Sequence, residues 1–196
     1  MPSPIGSRGW LRLFLATVLT AVGGERAAAQ VGAFGPARVV TLSAIRPGTL
    51  TVGVTSGMIQ TIASLTDNAV NSFPTPVVIQ TQWNVNPGQT NTVNLVAYFT
   101  TPSQALVGGA VQIPSSRVLG RMTTGLPVAF TPISGNGVGG IGPAGGSLRL
   151  FSQNITGINK NATRTDNLDL QLNLVGFPSL PPGTYSGTLN LRAITQ

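Results

Sequence analysis

Apolar and polar side chains take turns over several stretches of this 196-residue chain. The last stretch is the plainest. Beyond Pro181-Pro182-Gly183, residues Tyr185, Gly187, Leu189, Leu191 and Ala193 fall on one face, and Ser186, Thr188, Asn190 and Arg192 fall on the other. A period of two is what a β-strand with one buried and one wet face requires, so residues 184–193 are expected to form a strand integral to a sheet.

The same alternation recurs upstream. Val40, Leu42 and Ala44 share a face, the turn Arg46-Pro47-Gly48 follows, and Leu50, Val52 and Val54 return opposite Thr49, Thr51 and Thr55. Proline at the first central position of the turn and glycine after it predict a β-hairpin of residues 38–45 with 49–55. Val77, Ile79, Thr81, Trp83 and Val85 then alternate with Gln80, Gln82 and Asn84. After Asn86-Pro87-Gly88, which is again turn chemistry, Val93, Leu95, Ala97 and Phe99 line one side. This pair reads as a second hairpin with Trp83 as a core anchor, and Trp83 and Tyr98 read as packing residues.

Residues 148–155 read as a strand, and Leu168, Leu170, Leu172 and Leu174 alternate cleanly with Asp169, Gln171 and Asn173. Shorter strands are expected at 117–122 and 127–130, with connections at 102–114 and 156–165. Residues 56–76, with Met58, Ile59, Ile62 and Leu65, fit either one helical turn or a loosely formed strand. No long helix is expected after the first 29 residues. Roughly seven to nine strands at short spacing with Pro/Gly turns predict an all-β fold, an antiparallel immunoglobulin-like β-sandwich, with a barrel as the structural alternative.

The N-terminus follows a different rule. Arg8 and Arg12 precede or interrupt an apolar core over residues 11–22, and Ala27-Ala28-Ala29 supplies small residues in an A-x-A arrangement. That is the pattern of a secretory signal peptide, a signal helix at residues 1–29 cleaved before Gln30. A membrane anchor needs about 20 apolar residues, more than this core provides. The expected product is one domain over residues 30–196, secreted to the periplasm or cell surface, with no membrane span. The chain has no cysteine, which excludes lipoprotein anchoring and disulfide staples.

Charge narrows the partners. The formal net charge is +7, yet only 8% of residues are charged. The bases beyond residue 29, Arg38, Arg46, Arg117, Arg121, Arg149, Lys160, Arg164 and Arg192, are scattered singly. Nucleic-acid binding wants a clustered basic patch, so none is expected.

Candidate chemistry is scarce. Without histidine or cysteine the chain has no Ser-His-Asp triad, no cysteine nucleophile and no ordinary zinc site. Asp67, Asp166 and Asp169 are the only acids beyond residue 29. Asp166 and Asp169 are the one close pair, the minimum for glycoside hydrolysis, but Asp169 lies on the polar face of a leucine-alternating strand, where it is simply solvated. Asp166-Asn167-x-Asp169 lacks the glycine and distal glutamate of a calcium loop. Asn154 and Asn161 each open an Asn-x-Thr glycosylation pattern. Residues 134–147 hold Gly135, Gly137, Gly139, Gly140, Gly142, Gly145 and Gly146, but no lysine and no following helix, so they read as a flexible surface loop and not a phosphate cradle. Catalytic, cofactor-binding and metal residues are therefore none, and an enzyme is not expected.

Residues 180–191, Leu-Pro-Pro-Gly-Thr-Tyr-Ser-Gly-Thr-Leu-Asn-Leu, resemble the closing strand of spore-coat-protein-U-like and related pilin-like secreted bacterial domains. The segments around Trp83 to Phe99 and Leu150 to Gly157 resemble exported β-proteins of environmental bacteria. The resemblance implies an immunoglobulin-like sandwich displayed or assembled at the cell surface. The expected function is that of a structural, surface-assembling subunit whose partners are itself or other surface subunits, joined by edge-strand pairing, with residues 39–45 as the donated segment. The alternative is a monomeric secreted binding module presenting a carbohydrate or protein site on its glycine-rich loops.

Overall fold

The structure is a computed structural model that describes residues 48–196. The expected signal peptide and the segment 38–45 lie outside the described residues. Eleven strands follow in order: β1 (Thr49–Ser56), β2 (Val70–Ser72), β3 (Val77–Asn84), β4 (Thr92–Tyr98), β5 (Leu106–Gly108), β6 (Val111–Ile113), β7 (Val118–Met122), β8 (Thr131–Pro132), β9 (Ser147–Asn154), β10 (Asn161–Asn173) and β11 (Asn190–Thr195). Seven of them have five residues or more.

The strands build an antiparallel sandwich. One sheet has the order β1-β3-β10-β7-β8, with β2 pairing β10 beyond the end of β3. The other has the order β11-β4-β9, and β5 and β6 form a separate ribbon. The 13-residue β10 holds the first sheet together, pairing β3 along residues 161–168 and β7 along residues 168–172. Ile79 and Trp83 of β3 and Leu168, Leu170 and Leu172 of β10 pack against Val93, Leu95 and Ala97 of β4 and Leu150 and Phe151 of β9. Trp83 is the expected core anchor, 4% exposed, with its indole N–H donated to the carbonyl of Asn159 at 2.8 Å.

β3 and β4 do not form the expected hairpin. They lie in different sheets, β3 between β1 and β10, and β4 between β11 and β9. The turn chemistry is present, since the Asn86 carbonyl accepts the N–H groups of Gln89 and Thr90 at 3.0 and 2.9 Å. Val85 still bonds to Lys160 in the first sheet, whereas Asn91 already bonds to Gln196 and Ile155 beside the second. Residues 86–90 thus cross the roughly 10 Å between stacked sheets. Alternation sets which face a strand buries, but not whether its neighbour in sequence lies beside it or opposite it. β1 pairs with β3 along one edge, and the strand expected to pair with it in a hairpin, 38–45, lies outside the described residues.

Smaller corrections follow the same logic. Residues 57–69 form neither a helical turn nor a strand, and β2 is the short strand that closes that segment. The strand expected at 117–122 is β7, whereas residues 127–130 are irregular and β8 follows them. The final strand is β11, shorter than the alternation of residues 184–193 implies. Gly187 explains the loss: a Cβ there would lie 1.7 Å from the Ala105 carbonyl oxygen, so the chain passes too close to that backbone to keep pace with β4.

The glycine-rich segment is not the expected free loop. Val138 and Ile141 exchange backbone hydrogen bonds at 3.0 Å, Gly135 pairs with Ser147, and Ile141 is buried. At Gly142 the backbone has φ +77° and a Cβ would stand 2.9 Å from that of Tyr98. Glycine is what lets the segment approach Tyr98 at the end of β4 this closely.

β10 begins twelve residues before Asn173, well inside the expected connection 156–165. The alternation of Leu168, Leu170 and Leu172 continues backwards through Ala162, Arg164 and Asp166, so a charged pair occupies two inward positions. The Arg164 Nε lies 2.7 and 2.9 Å from the two carboxylate oxygens of Asp166, and Thr124 donates its hydroxyl to the same carboxylate at 2.7 Å. The Arg164 guanidinium stacks 4.6 Å over the Phe151 ring of the facing sheet. Asp166 is 1% exposed, so removing it leaves a largely buried cation without its counter-charge. Asp166→Ala is expected to lower the unfolding free energy by about 3 kcal/mol in denaturant titration, against less than about 1 kcal/mol for Asp169→Ala, whose partner Arg121 is 40% exposed. The buried Thr81 hydroxyl has no hydrogen-bond partner among the described residues. Thr81→Val, of nearly the same shape, is expected to raise stability by about 1 kcal/mol in the same assay.

Candidate functional site

Among the described residues, β1 and β11 are the edge strands of the two sheets on one side of the sandwich. At one end they come together, where Thr49, Leu50 and Thr195 share a small pocket of about 180 Å³. At the other end they part. Val54 and Leu191 there line an open groove of about 860 Å³. Its floor is the inward surface of both sheets, lined by the buried side chains of Leu170, Leu172 and Phe99. Its walls are residues 57–65 and 180–189, which bring Ile62, Leu65, Tyr185 and Leu189.

The walls carry irregular backbone with few ladder partners. Among the described residues, none of the backbone groups of 57–65 joins another backbone group. In residues 181–189 only Ser186 does so, exchanging hydrogen bonds with Val107. Pro181 and Pro182 have no N–H to offer, which keeps this wall out of the sheet. Two polar side chains of the rim are already engaged. Gln60 donates to the Gly57 carbonyl at 2.9 Å, and the Tyr185 hydroxyl donates to the Pro181 carbonyl at 2.8 Å. What the groove offers is apolar surface, the hydroxyls of Thr61, Thr184, Ser186 and Thr188, and unpaired main chain.

Among the described residues β1 adds an edge with neither charge nor proline to blunt it. Natural edge strands are blunted with charge, proline or a bulge, yet Thr-Leu-Thr-Val-Gly-Val-Thr-Ser has no charge and no proline, and its register breaks only past Val54. By contrast β8, at the far edge of the same sheet, is two residues long and ends in Pro132.

The carboxylates take three separate places. Asp166 faces the interior with Arg164, and Asp169 faces outward, 2.6 Å from Arg121. Three residues apart on a strand means opposite faces, so the two cannot flank one bond or share one cation. Among the described residues there is no cluster of three possible metal ligands. Asp67 lies at the groove instead. Its carboxylate accepts the Ser179 hydroxyl and the N–H of Leu180 at 3.3 Å. The Ser179 hydrogen bond, and then that of Leu180, hold its carboxyl below the usual value of 3.8. Nothing in the sequence around Asp67 marks this role, since its partners are more than a hundred residues away.

Asn154 and Asn161, the glycosylation-pattern residues, are exposed at the adjoining ends of β9 and β10. No helix among the described residues is long and apolar enough to cross a membrane. Comparison with protein-family models, with curated proteins and with solved structures finds no match.

A lowered folded pKa means that Asp67 contributes stability fully above its unfolded value and loses that contribution as pH falls through the lower folded value. Carboxyl-detected NMR titration is expected to place the Asp67 midpoint below 3.8. Ser179→Ala, which removes the stronger partner, should move it back towards 3.8.

Proposed function

We propose that this chain is an exported, non-enzymatic structural subunit that assembles at the bacterial cell surface by strand pairing between copies. The observation that carries this reading is the apolar groove with unpaired backbone on both walls, beside a β1 edge with neither charge nor proline. An extended segment with alternating apolar side chains meets both needs at once, through main-chain hydrogen bonds and filled side-chain sites. Residues 39–45 have that pattern, with Val40, Leu42 and Ala44 in alternate positions. A copy that supplies this segment to its neighbour's groove and receives one in turn makes a head-to-tail contact, which grows into a filament unless it closes. The signal-peptide pattern and the resemblance of residues 180–191 to pilin-like domains support export and surface assembly. The scattered charge and the lack of histidine and cysteine support a role in construction and not in chemistry.

Each Leu or Val side chain moved from water into such a groove is worth about 1.5–3 kcal/mol, or about one to two decades in affinity. Leu42→Asp is therefore expected to raise the concentration needed for assembly by at least tenfold. Deletion of residues 31–45 is expected to leave a monomer. Size-exclusion chromatography and negative-stain microscopy of the chain after residue 29 measure both. A wild-type chain that stays monomeric at every concentration removes this reading and favours the alternative of a secreted binding module.

A further inference from the structure

We propose that Asp67 is the positioning residue of the groove, a single carboxylate that ties its two walls together and holds them ready for the incoming strand. The inference rests on the assembly reading above and adds to it the residue that sets the groove's shape. Asp67 follows directly on one wall, and its partners Ser179 and Leu180 open the other. Along residues 179–189 the remaining wall is otherwise held by backbone only at Ser186, through Val107. Cutting the carboxylate would leave its proline-containing half, residues 179–185, without a hydrogen bond to the rest of the described chain.

Asp67 is itself placed on a braced turn. The buried Asn71 side chain accepts the N–H of Thr66 at 2.8 Å and donates to the carbonyls of Thr66 and Ala69 at 3.0 and 3.2 Å. Asn71 belongs to β2 and sits opposite Leu172 of β10, so the brace is fixed to the longest strand of the sandwich. Next to Asp67, the Asn68 side chain accepts the N–H of Gly176 at 2.8 Å, and Leu174 donates its N–H to Ala69 at 2.9 Å. Position thus passes from β10 through Asn71 to Asp67, and from Asp67 to the far wall. A wall fixed before the strand arrives does not have to be ordered by it, and pre-organisation of this kind strengthens binding without any new contact to the partner. The lowered pKa of Asp67 agrees with a carboxylate whose hydrogen bonds are made in the empty groove.

The test is sedimentation analysis of the wild-type chain, Asp67→Ala and Asp67→Asn, each with its thermal midpoint measured alongside. The amide of asparagine keeps an acceptor for the Leu180 N–H, whereas alanine keeps none. Asp67→Ala is expected to raise the concentration for half-association about tenfold while its thermal midpoint falls only slightly, by the small stability that an exposed carboxylate contributes, and Asp67→Asn to recover part of the loss. Association of Asp67→Ala equal to wild type overturns the role of Asp67 and leaves the assembly reading standing. Loss of association in step with a fall in the thermal midpoint overturns it too, because Asp67 would then hold the fold and not the groove. A monomeric wild type overturns the assembly reading, and this inference with it.

Discussion

An extended backbone has two edges, and each must find hydrogen bonds in a neighbouring strand or in water. That constraint arranges this molecule. β10 satisfies both edges inside the sheet, and its partners β3, β7 and β2 take their places from it. Among the described residues, β1 and β11 satisfy one edge each. Where they run together the sandwich is closed, and where they part an apolar groove stands open with more unpaired main chain on both sides. Fold and proposed function are two consequences of one accounting of donors and acceptors.

The interior shows how far a strand can carry a polar load. Arg164 and Asp166 occupy inward positions near one end of β10 because each is satisfied, the carboxylate by two donors and the guanidinium by the carboxylate and a ring face. A lone charge at either position would be untenable. The pair also reaches across the core, since Thr124 belongs to the connection after β7 and Phe151 belongs to the facing sheet. At the opposite end of the sandwich the same strand presents only leucine, and that end is the groove.

Much of this was legible in the sequence, for a definite reason. Period-two alternation marks burial, and it marks β3, β4, β9 and the leucine half of β10 correctly, with Trp83 as a core residue, whereas of the strand expected over 184–193 only the end from Asn190 is β11. It failed where a charged pair stood in for apolar residues, which hid the first half of β10. It failed again where the partner of a strand, and not its face, was at issue, so β3 and β4 read as a hairpin although they lie in opposite sheets. The glycine-rich segment misled because glycine permits both freedom and close approach, and only the position of Tyr98 decides between them. The groove was illegible altogether. Missing packing leaves no mark on a sequence, and Asp67 meets Ser179 only in three dimensions.

The central claim is that the walls of the groove find their missing backbone partners in another copy of the chain. Hydrogen–deuterium exchange on separated monomer and assembled fractions tests it most directly. Residues 57–65 and 181–189 should exchange freely in the monomer and become protected on assembly, while β8 at the far edge stays unchanged. An assembly in which those two segments exchange as fast as in the monomer would contradict the account.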